Sequence, residues 1–119
     1  MATRTPKEVF QHHGQVLGAG DIDGIVSDYS DDAVLITPEG VKRGKKGIRE
    51  GFTKLLADLP KANWNLKNQI YEGDVLFLEW AAESAKTKTD DGIDTFVIRD
   101  GLIRVQTVRY TLAPTESGA

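Results

Sequence analysis

The chain has 119 residues, enough for one domain with one sizeable core and too few for a comfortable second. Hydrophobic residues at 39%, charged residues at 28% and a net charge of −3 describe a soluble globular protein and argue against a nucleic-acid surface, which is usually basic. The absence of cysteine excludes disulfides, thiolate metal sites and cysteine nucleophiles; with no apolar leader in MATRTPKEVF and no run near the ~20 apolar residues of a membrane span, a cytoplasmic protein without membrane contact is expected.

The first element is a helix over residues 6–19. Thr5 can cap it, Pro6 suits its first position, and Glu8 completes a capping-box pattern. Val9, Phe10, Val16 and Leu17 fall on one face, with His13 in the middle of that face and His12 at its edge. Gly18 and Gly20 end the helix. Asp21 caps a short second helix carrying Ile22, Ile25, Val26 and Tyr29.

Residues 33–37 read as a short strand stopped by Pro38-Glu39-Gly40. The basic cluster Lys42, Arg43, Lys45 and Lys46 reads as a solvated turn. A third helix follows over 45–59, its stripe of Ile48, Phe52, Leu55, Leu56 and Leu59 closed by Pro60. The period then changes. Residues 63–72, 74–84, 92–99 and 102–112 read as strands, with hairpin turns at Gly73, at Asp90-Asp91-Gly92 and at Asp100-Gly101. Residues 113–119 read as a frayed tail of a single domain spanning 1–119. Helices first and an antiparallel meander second predict an α+β fold with the helices on one face of the sheet.

Two ionisable residues break the apolar pattern. His13 stands on the apolar face of the first helix, and Asp94 shares strand parity with Phe96 and Ile98. A polar group is costly to bury unless it is hydrogen-bonded, so the pair marks either structural hydrogen bonds or the acid–base groups of a pocket. We expect the two within hydrogen-bonding reach, directly or through one water; a direct contact would let the carboxylate orient the imidazole as in a catalytic dyad. Tyr29, Phe52, Trp64, Trp80, Phe96 and Tyr110 are candidate pocket walls, and equally candidates for plain core packing. Gln106 shares parity with Val108 and Tyr110 and can add a polar handle. Glu79, in an otherwise apolar strand, is a candidate substitute base, but is rather expected to pair with Arg104 or Arg109 or to face a dimer interface. A metal site is not expected, because His12 and His13 are adjacent and diverge by ~100° on a helix. Gly18-Ala19-Gly20 ends a helix rather than opening one, so it is no phosphate loop.

The runs Ala19-Gly-Asp-Ile-Asp-Gly-Ile-Val26, Asp31-Asp-Ala33, Arg43-Gly44, Gly47-Ile-Arg-Glu50 and Ile93-Asp-Thr-Phe-Val-Ile-Arg-Asp-Gly-Leu-Ile103 resemble the nuclear transport factor 2-like superfamily. Within it the chain is most similar to the ketosteroid isomerase and SnoaL-like polyketide cyclase branch. The resemblance covers about residues 6–112. It implies a cone-shaped curved antiparallel sheet wrapped around the N-terminal helices, an apolar pocket in the open mouth, and a homodimer through the outer sheet face. Of the isomerase's three catalytic groups, the protonated aspartate matches Asp94, the tyrosine donor matches His13 and the aspartate base matches Thr37. Threonine cannot shuttle that proton, which argues against steroid isomerisation by the same mechanism.

Two readings follow. One is a cofactor-independent acid–base enzyme of isomerase, cyclase or dehydratase type, acting on a small apolar carbonyl compound with His13 and Asp94 as catalytic groups. The other is a non-catalytic module of the same fold that binds an apolar ligand or dimerises.

Overall fold

The computed structural model describes residues 3–115. Helix α1 (Pro6–Ala19) carries the expected capping box: Thr5 Oγ1 accepts the Glu8 N–H, and Glu8 Oε1 accepts the Thr5 N–H. It ends at Gly20, whose φ of 69° is a left-handed cap that glycine adopts without penalty. Helix α2 (Ile22–Ser27) is capped by Asp21, which accepts the Gly24 N–H at 3.0 Å. Helix α3 (Gly44–Asp58) buries Ile48, Phe52 and Leu55 along the predicted stripe.

The strands are β1 (Tyr29–Thr37), β2 (Gly40–Arg43), β3 (Asn63–Glu72), β4 (Val75–Glu83), β5 (Thr87–Arg99), β6 (Leu102–Arg109) and β7 (Ala113–Pro114). They form one curved, unclosed sheet in the order β2-β1-β6-β5-β4-β3, with β7 added beside β5. All the pairings are antiparallel except β1 with β6, which is parallel. The sheet is therefore mixed rather than purely antiparallel. The parallel pair arises because the whole of α3 and the β3–β5 meander lie between β1 and β6, a connection long enough to bring the chain back in the same direction.

Other expectations are corrected by backbone pairing. Pro38-Glu39 does not end the sheet; it turns the chain into β2, so Lys42 and Arg43 are strand residues paired with Leu35 and Val34. Asp90-Asp91-Gly92 is not a turn: β5 continues through it with a register shift between the Trp80–Gly92 and Ala82–Thr89 pairs, and the β4–β5 hairpin turns at Ser84–Lys86, where Ser84 Oγ accepts the Thr87 N–H. The expected fray begins too early, since Ala113 and Pro114 pair with Lys88 and Thr87, and Thr115 is buried with its hydroxyl on Ala85 O. Residues 116–119 lie outside the described residues.

The core lies between the helices and the concave sheet face. On β4 the inward residues Leu76, Leu78, Trp80 and Ala82 are buried while their alternates are not, the period-two signature of a half-covered sheet. On β5 the inward set is Asp94, Phe96 and Ile98. Asp94 thus shares its face with core residues.

Candidate functional site

His13 is 3% exposed and projects from α1 into a cage of aromatic rings. The ring centroids of Phe10, Tyr29, Phe52 and Phe96 lie 6.0, 6.0, 5.4 and 5.6 Å from its own. Its Nδ1 is buried without a hydrogen-bond partner among the described residues. Burial lowers its pKa to about 4, outweighing the upward pull of the Asp28 carboxylate, so the imidazole is neutral at pH 7.

Asp94 is 4% exposed and both of its carboxyl oxygens are engaged. Trp80 Nε1 donates to Oδ1 at 2.6 Å and Gln106 Nε2 donates to Oδ2 at 2.7 Å. The Gln106 amide is itself oriented by the Tyr29 hydroxyl, which donates to its Oε1. Burial raises the Asp94 pKa to about 7, while the two N–H donors hold it down by favouring the charged form. The register explains the assembly: Gln106 lies opposite Phe96, and Trp80 lies opposite Gly92. A Cβ on Gly92 would come within 2.2 Å of the indole. Glycine there leaves room for the ring to lie over β5 with its N–H aimed at Asp94.

Of the two expected routes between His13 and Asp94, direct or through one water, the direct hydrogen bond is not formed. Asp94 spends its two oxygens on Trp80 and Gln106, and His13 is enclosed by rings. The structure instead brings both to the wall of one cavity of about 500 Å³, termed the inner cavity because it holds His13 and Asp94, which has its own exposed rim at Gln11, Gln15 and Asn63. Phe52, Trp64, Trp80, Phe96, Gln106 and Val108 line the same cavity. Thr37 and Tyr110 do not; they line an adjoining mouth cavity of about 360 Å³, which also reaches Phe52, Gln106 and Val108. Tyr29 lines neither, being fully buried behind Gln106, where burial and the nearby Asp94 carboxyl push its phenol well above its usual range. Glu79 meets no arginine; its Oε1 accepts from Asn68 Nδ2 at 3.1 Å on the neighbouring β3.

Two polar clusters escaped the sequence reading. Asp28 is buried, and its carboxylate meets His12 Nδ1 at 2.8 Å and Arg4 Nη1 at 3.0 Å, with Arg4 Nη2 reaching Gly101 O. Placing His12 at the edge of the apolar face already set it apart from His13, but nothing local announced its partner sixteen residues on. In the mouth, Asp58 Oδ2 accepts from Lys54 Nζ at 2.9 Å and from the Tyr110 hydroxyl at 2.8 Å. The i,i+4 spacing of Lys54 and Asp58 was a legible signal for half of that cluster. Among the described residues no three His, Asp or Glu side chains gather as a metal site requires.

A family model for the SnoaL-like domain matches residues 10–106, most of the chain. The chain belongs to the SnoaL-like domain family. No curated protein matches the sequence. Solved structures share the architecture of this SnoaL-like domain at low identity. A candidate ketosteroid isomerase from Kribbella flavida superposes with a TM-score of 0.76 at 11% identity, covering 93% of this chain and 81% of that one. IdmH, a candidate polyketide cyclase from Streptomyces antibioticus, gives 0.71 at 14% identity, covering 90% and 92%. A nuclear transport factor 2-like protein from Cytophaga hutchinsonii gives 0.75 at 12% identity, covering 93% and 95%. At such identities the likeness establishes the fold of the SnoaL-like domain and leaves its chemistry to the side chains.

Proposed function

We propose that this SnoaL-like domain is a cofactor-independent acid–base enzyme that moves a proton on a small, mostly apolar carbonyl compound. The observation that carries the reading is Asp94: a carboxyl group in an apolar cavity, its pKa raised by burial to about 7. A base with that pKa is half ionised at neutral pH and still basic enough to take a proton from carbon beside a carbonyl. In this reading Asp94, rather than Thr37, holds the proton. The electrons of the broken C–H bond form the enolate double bond, and the carbonyl pair moves to oxygen. Neutral His13 supplies a hydrogen bond to that oxygen, in the tautomer protonated on Nε2. The proton returns to another carbon in an isomerisation; in a cyclisation the enolate carbon attacks a second carbonyl, whose π pair moves to its oxygen, and that alkoxide takes the proton back from Asp94. Trp64, Trp80 and Phe96 form the apolar walls.

The test needs no knowledge of the natural substrate. In deuterated buffer, the protein should catalyse exchange of the α-hydrogens of acetophenone, followed by NMR, and Asp94→Asn should abolish it while the fold is kept. Equal exchange with and without the protein would count against an enzyme and favour the second reading, a non-catalytic module that binds an apolar ligand.

We also propose that two copies associate through the convex sheet face. Ile70 at 54%, Ile36 at 41%, Val75 at 40% and Ile93 at 38% exposure leave it unusually apolar for open surface. Sedimentation equilibrium should report a dimer, and Ile70→Lys should shift it towards monomer.

A further inference from the structure

We propose that the mouth cavity is a second compartment of the same binding site, which takes the hydroxyl-bearing end of an elongated ligand whose carbonyl end occupies the inner cavity. This rests on the carbonyl reading above and names the shape and polarity of the compound.

The two cavities share a wall. Phe52 and Leu55 of α3, and Gln106 and Val108 of β6, line both. The polar groups on either side of that wall differ in kind. Asp94 and His13 line the inner cavity alone; Lys54, Asp58 and Tyr110 line the mouth alone. A ligand that spanned both cavities would therefore meet acid–base groups at one end and the Lys54–Asp58–Tyr110 group at the other.

The mouth group is prearranged. Asp58 Oδ2 takes both the Lys54 and the Tyr110 hydrogen bonds, and its Oδ1 takes none from the described residues. The Asp58 side chain is only 21% exposed and lines the mouth cavity. Among the described residues Lys54 has one hydrogen bond, to Asp58, and lies 3.8 Å from Glu39, leaving ammonium protons unspent there. A ligand hydroxyl fits both needs at once, donating to Asp58 Oδ1 and accepting from Lys54 Nζ. Charge points the same way: Lys42 and Lys54 are balanced by Glu39 and Asp58 around the opening, so neither an anionic nor a cationic end is favoured over a neutral one. Leu35, Pro38 and Leu112 complete the walls, which suits an apolar chain leading to that hydroxyl.

The chain's two tryptophans both line the inner cavity and neither lines the mouth, so quenching of their fluorescence reports entry of a ketone. Three probes suffice: acetophenone, para-pentyl acetophenone and para-hydroxypentyl acetophenone. The hydroxypentyl ketone should bind at least about fivefold tighter than the pentyl ketone, the ratio expected for one well-placed hydrogen bond in spite of its lower hydrophobicity. Lys54→Met should erase that preference. Thr37→Phe, which fills the mouth from the end of β1 without adding a tryptophan, should bring both long ketones down to the affinity of acetophenone. If the two long ketones bind alike in the unaltered protein and Thr37→Phe changes neither, the mouth is not a compartment of the site and the inference is overturned. If acetophenone itself does not quench, the carbonyl reading fails first and the inference goes with it, so the two failures are distinct.

Discussion

Trp80 donates its indole N–H to Asp94 at 2.6 Å, and it does so from the neighbouring strand because Gly92, opposite it, has no side chain to stand in the way. That hydrogen bond favours the ionised carboxyl against a burial that disfavours it. Removing the donor while keeping an aromatic ring should tip the balance. In Trp80→Phe the Asp94 pKa should rise above about 7, observed as a shift of the carboxyl carbon titration by NMR. A titration that moves down, or does not move, would show that the indole has no part in setting the proton affinity.

Gly92→Ala should be among the most damaging small substitutions. The added methyl would lie 2.2 Å from Trp80 Cε2, far inside van der Waals contact, so the indole must swing off β5. Overpacking of this kind costs about 1–3 kcal/mol, readable as a lower urea midpoint. Loss of the Trp80–Asp94 hydrogen bond should accompany it, so the carboxyl titration should move in the same direction as in Trp80→Phe.

Asp28 anchors a different part of the fold. Its carboxylate is buried, whereas its partners Arg4 and His12 have side chains 39% and 41% exposed. Removing the charge leaves those partners able to reach water, so the loss is that of charge-assisted hydrogen bonds rather than of a sealed ion pair. Asp28→Asn should therefore destabilise by about 1–3 kcal/mol in denaturant unfolding. Because Asp28 also raises the His13 pKa, the same variant should lower it further, in a titration of the His13 ring followed by NMR.

Much of this architecture was legible in the sequence, and the exceptions have physical causes. The helices announced themselves through local chemistry: Thr5 with Glu8, Asp21 at a second cap, and a stripe of four residues on α3 that continues to its C-cap Leu59. The inward face of β5 was legible from alternation alone, and it put Asp94 on the buried side. What failed was long-range. Asp90-Asp91-Gly92 has the composition of a turn, but Gly92 is small because an indole from β4 lies on it, and Asp91 accepts Thr111 N and Thr89 Oγ1 instead of turning the chain. The direction of β1 against β6 depends on a connection spanning most of the domain, which no local pattern encodes. The partners of Asp94 failed for the same reason. Parity placed Gln106 near the site, but strand register, not composition, decides that its amide and not the His13 imidazole reaches the carboxyl.

His13 and Asp94 should also leave opposite marks on stability. The Asp94 pKa is raised from 3.8 to about 7 on folding, so between those values the folded chain binds more protons than the unfolded chain at this position, and stability falls as pH rises. The His13 pKa is lowered from 6.5 to about 4, so over nearly the same interval the unfolded chain binds more protons, and stability rises with pH. In the unaltered protein the two slopes largely offset each other between pH 4 and 6.5. Single substitutions should uncover each one. Relative to the unaltered protein, Asp94→Asn should gain stability with rising pH across this window, by up to about 1.4 kcal/mol per pH unit where one proton is involved. His13→Phe, whose ring suits the cage of Phe10, Tyr29, Phe52 and Phe96, should show the reverse slope. It should also be at least as stable as the parent near pH 7, since it removes a buried nitrogen that has no partner, while losing the exchange of acetophenone α-hydrogens. Urea unfolding at half-unit pH steps for the three proteins measures all of this. Parallel curves for parent and variants would mean that neither group changes its proton affinity on folding.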